Sequence, residues 1–154
     1  MFASALPFTL RVAGKSRVER GYVAETKYRV HGVARVQNAR LVLEWSGTME
    51  IAEAGRGGAG TRTEPIPLAR TELPLLQVTS AELRSRWWRP RLELVISDLG
   101  AAIAIPGSRG GRVVLRLARR DWTAASDLVS TVELERADAM LRAADALPEL
   151  PPGS

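Results

Sequence analysis

Few residues in this 154-residue chain could carry out acid–base or nucleophilic chemistry, because it holds one histidine and no cysteine. A metal site built on imidazole or thiolate needs several such ligands, and His31 has no second one to join it. A serine triad would have to use His31, yet the Gly-x-Ser-x-Gly turn is absent. Asp98 and Asp121 fit structural roles, as a turn former and a helix cap. The sequence predicts no catalytic residues, metal or cofactor, although a cavity lined by His31 or Asp98 would favour an enzyme.

Two glycine-containing segments match phosphate-binding motifs in part. Gly14-Lys15-Ser16 has the end of a phosphate-binding loop, but Thr9 stands where that loop needs its first glycine. Residues 54–61 hold four glycines, with the spacing G-x-G-x-x-G of dinucleotide sites. That fingerprint opens a helix, whereas Pro65 and Pro67 follow and break helices. We interpret the first segment as a turn and the second as a flexible loop.

The most unusual segment is Arg84-Ser85-Arg86-Trp87-Trp88-Arg89-Pro90-Arg91, with four arginines and two adjacent tryptophans around a proline. We expect it at a turn between two strands, where one ring can enter the core while the other faces solvent. Two interpretations stay open. Either both rings pack, one in the core and one beneath an arginine, or the turn is a binding surface. The partner-binding residues of the second interpretation are Arg84, Arg86, Trp87, Trp88, Arg89 and Arg91.

Charge alternates in blocks along the chain, which carries 22 basic and 17 acidic residues for a net +5. Residues 11–40 hold eight basic and two acidic residues, residues 84–120 hold nine and two, and residues 121–154 hold two and seven. A basic excess fits nucleic acid, an anionic membrane or an acidic partner, or else only solvated strand faces. A phosphate-driven nucleic-acid binder would not usually carry so acidic a terminus, so the sequence disfavours nucleic acid.

Most of the chain alternates apolar and polar residues with period 2, which is typical of β-strands. About seven short strands fit between residues 33 and 118, with a turn at residues 46–48. Residues 103–105 are expected to be one of the strands, so that residues 106–111 form a hairpin loop. These strands must position any site that the chain carries.

The period changes after Asp121 to that of one amphipathic helix, which extends to about Ala143. We expect it to pack on the sheet. Residues 1–30 form an N-terminal extension whose alternation could add strands, and residues 146–154 form a proline-rich tail that we expect to be disordered. The helix residues expected to be buried are Trp122, Leu128, Val129 and Val132.

Seven short strands followed by one helix, together with several short motifs, resemble the pleckstrin-homology-like (PH-like) domain superfamily, in particular uncharacterised bacterial members. The resemblance extends from Arg40 to Val132. Its motifs are Ile66-Pro67-Leu68, Ser80-Ala81-Glu82-Leu83, Trp87-Trp88, Pro106-Gly107-Ser108 and Val114-Leu115-Arg116-Leu117-Ala118-Arg119-Arg120-Asp121. For residues 31–145 it implies a bent seven-stranded barrel of two near-orthogonal sheets, capped by the helix.

The resemblance also implies a binding role, since members of that superfamily bind phosphoinositides, peptides or partner domains, and some serve as scaffolds. Lipid-binding members use basic residues in their first hairpin loop. The corresponding stretch near Gly47 and Thr48 has no lysine or arginine, which disfavours lipid headgroup binding there.

Together these features predict a non-catalytic binding module for protein–protein interaction or regulatory scaffolding, with an acidic or amphipathic protein surface as partner. The alternative is a peripheral binder of anionic membrane surfaces through the Arg/Trp segment. We expect a cytoplasmic protein, or one at the inner membrane face. Three observations favour this: no apolar run approaches the ~20 residues of a membrane span, Pro7 interrupts the apolar N-terminus, and disulfides cannot form.

Helix packing gives a first test. Val129→Ala should lower the free energy of unfolding by about 1–3 kcal/mol, through lost burial and a small cavity. Thermal unfolding measures this change. An unchanged melting temperature would show that the helix is not docked on the sheet.

Overall fold

The computed structural model describes residues 5–13, 17–19, 22–55, 57–148 and 153. The protein is mainly β with one long C-terminal helix, as predicted. Its strands are β1 Leu6–Ala13, β2 Arg17–Glu19, β3 Tyr22–Gln37, β4 Arg40–Gly55, β5 Gly58–Pro74, β6 Val78–Arg84, β7 Arg91–Ile96 and β8 Arg112–Arg116. Its helices are the short α1, Leu99–Ile103, and the long α2, Trp122–Asp145, with 3-10 turns at Leu75–Gln77 and Arg119–Asp121.

The strands form one path of antiparallel pairs in the order β5-β4-β3-β1-β8-β7-β6, and β2 pairs with β3 outside that path. β1 pairs with β3 from Leu6 to Ala13, but it meets β8 only where Thr9 lies opposite Arg116. This narrow connection divides the path into a long-stranded half, β5 to β1, and a short-stranded half, β8 to β6. Among the described residues β5 and β6 do not pair, so the sheet is not closed.

Alternate residues of both halves face one shared core, which α2 covers. The predicted burial is confirmed for Leu128 and Val132, which join Ala125 in that core. Val129 is half-buried and packs against the core, whereas Trp122 is half-buried outside it. The strand residues of the core include Leu6, Phe8, Leu10, Val30, Leu43, Trp45, Leu73, Val78, Leu92, Leu94, Ile96, Val113 and Leu115.

Two glycines allow β3 and its neighbours to approach closely. A Cβ atom on Gly32 would collide with the main-chain oxygen of Glu44 and lie 2.7 Å from Phe8 Cζ. A Cβ atom on Gly47 would collide with the main-chain oxygen of Arg29. Glycine inside a strand often marks such an approach, because any side chain would push the backbones apart.

The two ends of the strand path are protected in different ways. β5 carries Pro65 and Pro67, whose nitrogens have no hydrogen to offer to a further strand. On β6, the main-chain oxygen of Thr79 accepts a hydrogen bond of 2.8 Å from Arg136 Nη1 of α2. Both ends therefore offer fewer free backbone groups than a bare edge strand.

Two predictions of loops from the sequence are wrong. Residues 46–48 lie inside β4, where the chain absorbs the irregularity as a β-bulge against β5 between Trp45 and Gly47. The flexible loop expected at residues 54–61 is wrong for its described residues, since Gly55 pairs with Gly58 and Ala54 pairs with Ala59. Gly58 has a φ of +119°, a backbone conformation open to glycine.

The expected strand at residues 103–105 is also wrong, because α1 occupies this part of the chain and ends at Ile103. Asp98 caps α1, with its side chain accepting a hydrogen bond of 3.1 Å from Ala101 N. Capping thus outweighs the alternation of three residues. Residues 106–111 consequently connect a helix to β8 and are not a hairpin loop.

From the sequence, an N-terminal extension is expected to end at residue 30. In the structure, β3 continues across that position, so residues 22–30 belong to the same strand as the residues that follow. The turn expected at residues 14–16, and the tail residues 149–152 and 154, lie outside the described residues.

The turn between β3 and β4 gives a second test. Asn38 and Ala39 both have positive φ, 51° and 56°, as a two-residue primed hairpin turn requires. Alanine is strained there and glycine is not, so Ala39→Gly should raise the free energy of unfolding by about 0.5–1 kcal/mol. Urea unfolding measures the change, and Ala54→Gly, inside β4, should instead lower stability. A lower stability for Ala39→Gly would contradict the turn geometry.

Candidate functional site

The Arg–Trp turn, residues 84–91, connects β6 to β7 at the end of the strand path. Ser85 and Arg89 have positive φ values of 60° and 48°, and Trp88 N donates a hydrogen bond of 3.2 Å to Ser85 O. Pro90 is buried, and its carbonyl accepts a hydrogen bond of 2.9 Å from Leu117 N. The turn therefore has a fixed base and two backbone positions in a costly conformation, which is a pattern found at binding sites.

Both tryptophan rings lie in solvent, with Trp87 73% and Trp88 70% exposed. The interpretation that places one ring in the core is wrong, because residues 85–90 form a turn in which strand alternation no longer applies. Each ring has an arginine over it. Arg86 Cζ lies 5.1 Å from the Trp87 centroid, and Arg89 Cζ lies 5.7 Å from the Trp88 centroid.

Beside the turn, the carboxylate of Glu93 on β7 accepts hydrogen bonds from three arginines. It is only 7% exposed, although it points away from the core. Its carboxylate accepts from Arg84 Nε at 3.0 Å, Arg91 Nε at 2.9 Å and Arg112 Nη2 at 2.6 Å. Arg84 also bonds Glu82 at 2.6 Å. Two of the six predicted partner-binding residues, Arg84 and Arg91, are thus held within the protein.

These bonds set the charge state of Glu93. The hydrogen bond from Arg112 contributes most to lowering its pKa, which falls from 4.5 to about 2 against the opposing effect of desolvation. The hydrogen bond from Arg91 and the charges of Arg112 and Arg84 lower it further. Glu93 is therefore ionised at neutral pH and holds the three guanidinium groups at fixed positions.

An open cavity of about 1000 Å³, here called the arginine groove, lies next to the turn on the outer face of β1, β7 and β8. Sequence reasoning missed Arg11, Arg112 and Arg116 as parts of one site. Period 2 places Arg112 and Arg116 on one face of β8, but only the pairing of Thr9 with Arg116 brings Arg11 beside them. The groove is lined by Thr9, Arg11, Arg89, Pro90, Arg91, Glu93, Arg112, Val114, Arg116 and Leu117.

His31 lines a second cavity, of about 560 Å³. From the sequence, a cavity at this residue is expected to favour an enzyme. His31 Nε2 lies 3.5 Å from Ser46 Oγ, at the limit of a hydrogen bond. Asp121 also lines this cavity, whereas Asp98 does not.

Within the described part of the chain no carboxylate hydrogen-bonds to His31, so nothing orients the imidazole as a triad requires. Glu44 lines the same cavity, but its carboxylate is bonded to Arg35 and Arg70, each at 3.0 Å. The hydrogen bond from Arg35 is the largest cause of the lowered pKa of Glu44. The carboxylate of Glu44 therefore serves an ion-pair network.

Over the described ranges, no group of three or more His, Cys, Asp or Glu side chains could hold a metal ion. The same ranges contain no helix with the length and apolar character needed to cross a membrane. Comparisons with protein-family models, curated proteins and solved structures return no match for this chain. The PH-like resemblance therefore stays a prediction, and function is argued from the site.

Glu93 gives a test of the arginine cluster. At pH 7, Glu93→Gln should lower the free energy of unfolding by about 1–3 kcal/mol, because charge-assisted hydrogen bonds are lost and three guanidinium groups repel one another. The pKa of Glu93 is depressed in the folded state, so its contribution to the free energy of unfolding is present above pH 4.5 and decreases as pH falls towards 2. The difference in the free energy of unfolding between wild type and Glu93→Gln should therefore shrink between pH 4.5 and pH 2.

Urea unfolding at several pH values measures this difference. Glu82→Gln is a matched control, since Glu82 is exposed and, among the described hydrogen bonds, its carboxylate accepts only from Arg84. This variant should change stability much less. A pH-independent difference for Glu93→Gln would show that Glu93 is not the titrating group.

Proposed function

We propose that the protein is a non-catalytic binding module that uses the Arg–Trp turn to bind an acidic, amphipathic protein surface. One observation carries this proposal: two adjacent tryptophan rings are exposed on a turn whose base is fixed by Pro90 and Leu117. Tryptophan and arginine are the residues most enriched at binding hot spots, because they combine a large apolar area with polar contacts. A turn that is already ordered loses little entropy on binding.

The distribution of charge favours a protein partner over a membrane. Adsorption to an anionic bilayer gains roughly 1 kcal/mol for each basic residue near the surface, and the sequence offers four arginines in this segment. Glu82 and Glu93 compensate Arg84 and Arg91, which leaves Arg86 and Arg89 beside the rings. Two separated guanidinium groups next to apolar rings fit a protein surface on which carboxylates alternate with apolar side chains.

The non-catalytic character and the PH-like architecture are parts of the same proposal. The first is supported by the lack of an orienting carboxylate at His31 among the described hydrogen bonds. We propose that the two halves of the sheet form the bent, two-sheet arrangement of PH-like domains. We also propose that the protein acts in the cytoplasm. The shared core, the narrow β1–β8 connection and the C-terminal position of α2 support this arrangement.

Binding can be tested with a synthetic peptide of alternating glutamate and leucine. Wild type should bind it, and Trp88→Ala and Arg86→Glu should each weaken binding by about 10- to 30-fold, the size expected of a hot spot. Leu68→Ala and Arg109→Glu, at exposed positions outside the turn, are matched controls that should bind as wild type does. Fluorescence anisotropy measures the affinity and thermal unfolding confirms folding.

Vesicles of phosphatidylserine and phosphatidylcholine provide the competing measurement. Vesicle binding that is lost in Trp88→Ala and at high salt, without peptide binding, would identify the membrane as the partner. Equal binding of the peptide by wild type and both turn variants would overturn the proposal and leave the turn structural.

A further inference from the structure

We propose that the arginine groove binds a ligand carrying two or more phosphoryl groups. The groove shares Arg89 with the Arg–Trp turn, but neither tryptophan lines it, and the proposal does not rest on the function proposed for that turn. The groove is lined by five arginines and one glutamate, so its walls carry a net charge of +4. So many like charges around one cavity repel one another unless an anion lies between them.

The charge of the groove is only partly compensated within the protein. Glu93 uses Nε of Arg91 and Nη2 of Arg112, so their other N–H groups have no carboxylate partner in the described chain. Arg11, Arg89 and Arg116 have no described carboxylate within 4.0 Å. A structural ion-pair network would compensate these three, as Glu44 and Glu72 compensate Arg70 on β5.

The scaffold of the groove is rigid. Arg11, Arg91, Arg112 and Arg116 lie on three strands of the sheet, and Glu93 fixes two of them by hydrogen bonds. Because Arg91 and Arg112 are held in advance, these two side chains lose little further entropy when an anion binds.

Phosphoryl groups fit this chemistry better than other anions. The planar guanidinium group binds phosphate oxygens through two parallel hydrogen bonds, and the basic groups of the groove are all arginines. The net charge of +4 and the volume of about 1000 Å³ exceed what a single phosphate needs. Val114, which is exposed on the same face of β8 as Arg112 and Arg116, supplies an apolar contact for the organic part of an ester.

Isothermal titration calorimetry with inorganic tripolyphosphate tests the site. Wild type should bind tripolyphosphate at least tenfold more tightly than citrate, which has three carboxylates. Arg11→Gln and Arg116→Gln should each weaken binding by about tenfold, since each removes a charge-assisted contact. Arg109→Gln is the matched control, because this exposed arginine lies in the turn before β8 and outside the groove, and its affinity should change less than about twofold.

The outcomes separate this proposal from the previous one. Trp87→Ala should leave tripolyphosphate affinity unchanged, whatever it does to peptide binding, because Arg86, which lies over that ring, does not line the groove. Equal losses in Arg11→Gln and Arg109→Gln would show nonspecific attraction to a basic protein, and no binding at millimolar tripolyphosphate would exclude the site. Groove-dependent binding of an oligothymidylate without binding of tripolyphosphate would assign the groove to nucleic acid, and would equally overturn the proposal.

Discussion

The contact of β1 with β8 is the constraint on which the rest of the molecule depends. β1 pairs along its length with β3, yet its strand pairing with the short-stranded half is confined to Thr9 and Arg116. The inner face of this connection lets both halves and α2 share one core. Its outer face places Arg11 near the arginines of β7 and β8. One short contact thus organises the core and the surface charge together.

The sequence predicts the parts of this protein that depend on local periodicity. Alternation indicates the strands, and the change of period after Asp121 indicates α2, with Leu128 and Val132 correctly placed in the core. The failures occur where side-chain capping or backbone freedom outweighs periodicity. Asp98 stabilises α1 where three residues alternate, and in the glycine-rich segment Gly55 pairs with Gly58.

The site was predictable only in part, because strand pairing brings together residues far apart in the chain. The unusual composition of residues 84–91 marked the turn, but its positive φ values, which expose both rings, leave no pattern in the sequence. The sequence did not single out Glu93, because it alternates with Leu92 and Leu94 as any polar strand residue does. Its role follows from the register that sets Arg84, Arg91 and Arg112 around it, and this register is a property of the folded sheet.

The protected ends of the strand path have a consequence for how copies of this protein meet. Assembly of β proteins into fibrils begins when an edge strand of one molecule adds to the sheet of another. Pro65 and Pro67 remove two donors from the row that β5 would offer, and Arg136 occupies the acceptor of Thr79 on β6. Both features oppose the open-ended addition of one copy's edge strand to the sheet of another at high concentration.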